Sequence, residues 1–134
     1  MSQLLDYHKA PPDYRPPIGR NKLIVVSSLY RGYEPYTDIE YNLAEAREIL
    51  KSYTTQGEYP ISLPLQWPHL GVVPASDSKT HEWALQGCCE IIRRAADELH
   101  IYYPRGMHMS RGQRLEWEVA RGLGIPIIER EREW

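Results

Sequence analysis

Lys22-Leu23-Ile24-Val25-Val26-Ser27-Ser28 is a continuous apolar, β-branched run closed by two serines. A surface strand alternates polar and apolar residues, whereas an unbroken run of this length needs cover on both faces. That is the pattern of a buried strand in a parallel sheet. After the loop Leu29 to Tyr36, Thr37 and Glu40 form a capping-box pair, and Ile39, Leu43, Ala46, Ile49, Leu50 and Tyr53 follow at helical spacing, with an end expected near Gly57. Tyr59 to Leu63 is a second short strand. A long loop, Pro64 to Ser78, carries Trp67, Pro68, His69 and Gly71. Trp83, Ala84, Gly87, Cys88, Ile91, Ile92 and Ala95 outline a second helix beginning between Ser78 and Glu82, and Glu98 to Tyr103 is a third strand. The loop Pro104 to Met109 leads to a third helix stopped by Gly124, and Ile125 to Ile128 is the last strand. Strands alternating with helices imply right-handed crossovers and an α/β fold: a flavodoxin-like or Rossmann-like parallel sheet flanked by helices, with ligands at the carboxyl ends of the strands.

The rest of the chain bounds this domain, expected over residues 22–134. From Met1 to about Arg20, Pro11, Pro12, Pro16 and Pro17 stand among polar residues, so residues 1–21 are expected to form an extended arm. With 134 residues, 42% hydrophobic and 25% charged, one compact domain with a modest core fits and a second does not. A net charge of -2 and a pI near 6.2 lack the basic footprint of a general nucleic-acid binder. No long apolar stretch, hydrophobic signal region or lipidation motif stands out, so the expectation is a cytoplasmic protein without a membrane partner. Cys88 and Cys89 are adjacent in a helix, where neither an ordinary disulfide nor a spaced metal site fits, and packing is the favoured role. His81 and His100 have no partners at metal spacing, and the five histidines form no ligand set. No metal or other cofactor is expected. The tail Glu129-Arg130-Glu131-Arg132-Glu133 is an alternating charge run that suits a solvated terminus or edge.

The third helix carries the chemistry. Ser110 with Gln113 three residues on is a capping box, and the free N–H groups of that first turn are a ready anion site. Gly112, Glu116 and Ala120 recur every four residues and share a face, so the carboxylate is flanked by two small side chains that leave it open to a ligand. Leu115, Val119 and Leu123 form a neighbouring apolar stripe. Glu116 is thereby expected at the core margin, where desolvation raises a carboxylate pKa, and Glu118 lies on another, solvated face.

Ser27-Ser28-Leu29-Tyr30-Arg31-Gly32 after the first strand, Asp97-Glu98-Leu99 at the start of the third, Ser110-x-Gly112 before Glu116-x-x-x-Ala120, and Leu123-Gly124-Ile125-Pro126 together resemble the nucleoside 2-deoxyribosyltransferase superfamily. The likeness runs from about residue 22 to 129. It is nearest to small members common in phage and bacterial genomes, and next to the 2′-deoxynucleoside 5′-phosphate N-hydrolases. The resemblance implies a flavodoxin-like sheet, a homodimer or higher homo-oligomer with sites near the interface, and cleavage or transfer at an N-glycosidic bond of a nucleoside or nucleotide. It implies Glu116 as nucleophile and Ser110 at the substrate's 5′ end or phosphate.

Residue chemistry agrees, because a departing nucleobase leaves positive charge on the sugar, which a carboxylate captures or stabilises. Arg31 with Ser110 and the first-turn amides of Gly112 suits a 5′-phosphate. Tyr30 is placed to orient the carboxylate or sugar; Ser28 and Gly32 complete that loop. Trp67 and His69 are candidates to cover a base, with packing as the rival role of Trp67. The family's acidic residue is absent between Tyr102 and Ser110. In that segment, Pro104-Arg105-Gly106-Met107-His108-Met109, His108 alone titrates near neutral pH and is either a proton donor or solvated, with Met109 beside it. Ser28 and Leu29 also replace the Gly and Ser frequent in the hydrolases.

Two further classes stay open: a noncatalytic nucleotide-binding or sequestering protein, sustained by the missing loop carboxylate, and a flavin-binding redox protein, disfavoured by the lack of a Ser/Thr-rich phosphate loop.

Overall fold

A computed structural model describes residues 22–53, 58–66 and 78–134. The elements are β1 (Leu23–Ser27), α1 (Ile39–Lys51), β2 (Tyr59–Ser62), α2 (Ser78–Ala95), β3 (Glu98–Pro104), α3 (Arg111–Gly122) and β4 (Ile127–Arg132). All strand pairs are parallel, in the order β2-β1-β3-β4, the sequence of strands found in flavodoxin-like sheets. The expected α/β fold is therefore present. The proline-rich arm lies outside the described residues, as do Trp67 and His69.

The unbroken apolar run of β1 is buried on both faces because consecutive side chains point to opposite layers. Ile24 and Val26 pack with Ile49 and Tyr53 in one cluster, whereas Val25 joins Leu63, Ala84, Cys88, Ile92, Leu99, Ile101 and Ala120 in the other. Ser27, two residues beyond Val25, shares its face and is buried on the α2–α3 side of the sheet. The chain order reverses between β1 and β3, and their carboxyl ends open there into the loop after Ser27 and the loop before Arg111.

Two loops are fixed by identifiable bonds. Asn42, buried in α1, donates from Nδ2 to the carbonyls of Tyr30 at 2.9 Å and Tyr36 at 3.1 Å, while its Oδ1 accepts from Trp134 Nε1 at 2.9 Å. Gly32 sits between those carbonyls with φ +65°, and a Cβ there would collide with the Tyr36 carbonyl oxygen. At the end of α3, Gly124 takes φ +72°, with its N–H on the Arg121 carbonyl and that of Ile125 on the Ala120 carbonyl, so the expected left-handed cap is present.

Four expectations are corrected. The cap of α1 is Asp38, whose carboxylate accepts from the Tyr41 N–H at 3.2 Å, in place of the Thr37–Glu40 box, and the helix stops at Lys51 rather than near Gly57. In α3 the apolar stripe is not the inner face: Leu115 and Leu123 are 37% and 51% exposed, and Gln113, Glu116 and Ala120 are buried. Polar side chains displace leucines there because each finds a buried partner. Trp83 and Gly87, read as part of the apolar face of α2, are exposed, and that face is carried by Ala84, Leu85, Cys88 and Ile92. The last strand, expected over Ile125 to Ile128, runs instead from Ile127 to Arg132 as β4, and the charge run at 129–133 lies mostly on it as the expected solvated edge, where exposed Glu129, Arg130 and Glu131 discourage pairing with another chain. Arg132 turns back from it to Glu45 of α1.

No helix among the described residues is long and apolar enough to cross a membrane. The Asp38 cap gives a direct check: Asp38→Ala is expected to lower unfolding free energy by about 1 kcal/mol, and Thr37→Ala by a few tenths at most, in urea denaturation.

Candidate active site

Glu116 is 5% exposed on the face of α3 that meets β1. Its Oε1 accepts from Ser27 Oγ at 2.5 Å, joining residues far apart in sequence, and the Cys88 thiol of α2 also donates to it. Burial pushes the Glu116 carboxyl up to about 7, and the Ser27 and Cys88 donors pull in the opposite direction by favouring the ionised form. Burial and the neighbouring carboxylate push the Cys88 thiol far up, so Cys88 is a neutral donor rather than a thiolate.

Gln113, one turn before Glu116, fixes the helix start. Its Oε1 accepts from the Ser110 N–H at 3.0 Å, its N–H donates to Ser110 Oγ at 3.2 Å, and its Nε2 donates to the Tyr102 carbonyl at 2.8 Å. The expected capping box is thus present, and the same glutamine ties α3 to β3. Gly112 lets α2 approach: a Cβ there would stand 2.9 Å from Leu85 Cδ2, tighter than packing permits without movement. The small residues flanking Glu116 therefore serve helix packing, since Ala120 is fully buried, and only Gly112 also faces open space.

Above Glu116 lies a cavity of about 110 Å³. Its walls come from the loop after β1 (Ser28, Tyr30, Arg31, Gly32), from α2 (His81, Leu85, Cys88), and from the start of α3 (Ser110, Arg111, Gly112, Gln113), with Leu63 and Pro64 beyond β2. Ser28 is 6% exposed, and its Oγ has no hydrogen-bond partner among the described residues. Arg31 is exposed at the rim. Tyr30 has its phenol raised by burial first and by Glu40 second.

The structure brings together Ser28, Tyr30, Arg31, Gly32, Ser110, Gly112 and Glu116 of the residues singled out in the sequence. His108 and Met109 do not line this cavity. His108 is exposed, stacks on Tyr33 at 4.6 Å between ring centroids, and holds Nδ1 2.8 Å from the Met109 carbonyl; Met109 packs on the core.

Sequence reading missed Ser27, Cys88, His81 and Arg111. The period-two alternation of β1 was the available signal for Ser27. Arg111 reaches Glu82 of α2 at 2.8 Å, bridging the two helices at the rim. Among the described residues no group of His, Cys, Asp and Glu is arranged to hold a metal ion. His100 is instead a bonded core histidine, with Nδ1 2.6 Å from Tyr53 Oη and Nε2 2.9 Å from Glu98.

An α/β domain with a buried carboxylate beneath a cavity at its topological switch point is thereby defined. The chain belongs to the family described as a domain of unknown function (DUF7768), which matches residues 22–130. No curated protein and no solved structure matches it.

Glu116 ionises at its ordinary value of 4.5 when the chain is unfolded and at about 7 when it is folded. The folded chain therefore holds the extra proton, and the resulting stability is full below about pH 4.5 and lost as pH rises through about 7, on the order of 3 kcal/mol in total. Glu116→Gln is expected to remove most of that decline, making the variant more stable than wild type at pH 8 but not at pH 4.5, in urea denaturation at the two pH values.

Proposed function

We propose that the protein hydrolyses or transfers the N-glycosidic bond of a deoxynucleoside or nucleoside 5′-monophosphate, with Glu116 as nucleophile. The observation that carries this reading is the Glu116 carboxylate, buried yet held by Ser27 and Cys88 beside a cavity whose rim is a helix start. The carboxylate oxygen bonds to C1′ as the C1′–N bond breaks; the base leaves with the bonding pair and gains a proton. Water, or the nitrogen of a second base, then takes C1′ and releases the carboxylate. Ser27 and Cys88 fix which oxygen faces the sugar, Tyr30 orients the sugar, and Ser28, Arg31, Ser110 and the Gly112 amide receive the 5′ end.

The free helix start and guanidinium match an anionic group, and the apolar surface of Leu115 and Leu123 on α3 is consistent with a second copy of this chain as partner. The reading carries a cytoplasmic setting and uses no cofactor. A noncatalytic nucleotide-binding protein is the second reading, favoured by one observation: Glu116 is the sole carboxylate among the described residues lining the cavity, so no carboxylic acid stands there to protonate the base.

The two readings part in one assay. Purified protein is incubated with a panel of deoxynucleosides and their 5′-monophosphates, and free base is measured by chromatography. Base release by wild type, lost at least 1000-fold in Glu116→Ala and rising with pH through about 7 as the nucleophile ionises, is the expected result. Nucleotide binding without base release in both proteins supports the binding reading.

A further inference from the structure

His81 stands on the first turns of α2, across the cavity from the loop after β1 and beside the start of α3. It lines the same space as Arg31, Ser110, Arg111 and Gly112. Among the described residues, the charged groups that act on it are Arg31 from the loop after β1, Glu82 on its own helix and Arg111 from α3. Glu116, Cys88 and Tyr30 lie in the same cavity. Arg111 and Glu82 pair at 2.8 Å and largely offset each other, so Arg31 dominates the charge felt by the ring. Ser28 supplies a separate sign of a ligand, a buried hydroxyl on the same cavity with no hydrogen-bond partner among the described residues.

We propose that the cavity binds a tetrahedral dianion between Arg31, Arg111 and the start of α3, and that His81 takes up a proton on binding to become its third cationic arm. This deepens the nucleotide reading by making the bound group a phosphate monoester rather than a neutral nucleoside, and by linking its affinity to pH.

An anion bound between these groups reverses the sign of the field at the ring. Without an anion, burial first and the nearby Arg31 second hold the His81 imidazole below its ordinary 6.5, so the ring is neutral. A dianion between the same groups cancels the repulsion and adds attraction, and the protonated ring becomes the favoured form. Protonation linked to binding makes affinity rise as pH falls between the free and bound midpoints, by up to about tenfold per pH unit for one proton.

Sulfate is the appropriate probe, because it stays doubly charged across this range and has no glycosidic bond, so the result is independent of catalysis. Titration calorimetry at pH 6, 7 and 8 in buffers of differing ionisation enthalpy is expected to show uptake of a proton by wild type and an affinity several-fold to tenfold higher per unit drop in pH. Because the Glu116 carboxyl titrates near 7 in the same cavity and a dianion would also favour its protonation, His81→Gln is made on the Glu116→Gln background, where it is expected to remove the uptake and flatten the profile. Glu116→Gln alone is expected to keep proton uptake and a pH-dependent affinity, now carried by His81. Persistence of the slope in the Glu116→Gln/His81→Gln double variant, or no sulfate binding by wild type at pH 6, overturns the proposal. The wild-type His81 ring, followed by NMR with and without saturating sulfate, gives a readout that needs no variant: a midpoint raised by about one unit or more supports it, and an unmoved midpoint overturns it.

Discussion

The hydrogen bond from Ser27 Oγ to Glu116 Oε1, 2.5 Å long and buried, is the constraint around which this domain is arranged. It joins the last residue of β1 to the second turn of α3 and so holds the carboxylate against the sheet. A buried carboxylate is costly unless its oxygens are bonded. Here hydroxyl and thiol donors offset part of that cost, and what remains is expressed as a carboxyl that gives up its proton only near 7.

Everything else at the cavity follows from holding α3 in that position. Gln113 closes the capping box and reaches the Tyr102 carbonyl, so one side chain both starts the helix and aligns it with β3. Gly112 omits the side chain that would strike Leu85, letting α2 bring Cys88 to the carboxylate and His81 to the rim. Asn42 and Trp134 hold the opposite wall from the far side of the sheet through the Tyr30 and Tyr36 carbonyls. The cavity thus forms where a parallel sheet reverses its winding, the place at which two successive loops diverge and leave space.

Features governed by local chemistry were legible in the sequence. The two-sided burial of β1, the Ser110–Gln113 box and the Gly124 cap depend on residues within a few positions of one another, and each is present. Features settled by distant partners were not. Leu115 and Leu123 read as core by periodicity, yet the bonds to Ser27 and Tyr102 rotate α3 so that polar Glu116 and Gln113 take the inside. Cys88 read as simple packing because nothing in its own helix reveals a carboxylate from α3 beside it. The place of His108 after the third strand points to the site, yet His81, which has no partner at metal spacing in the sequence, is the histidine that lines the cavity. Asp38 and Thr37 are both good caps one residue apart, and the fold selects the former.

Glu116 holds a proton near neutrality because it is buried, and Ser27 steadies its ionised form. Carbon-detected NMR of the side-chain carboxyl, followed from pH 4 to 9, tests both parts at once. A Glu116 midpoint at about 7 in the wild type, moving higher in Ser27→Ala, is the result expected. A midpoint near the ordinary 4.5, unchanged by loss of the serine, would show a solvated carboxylate and contradict the account.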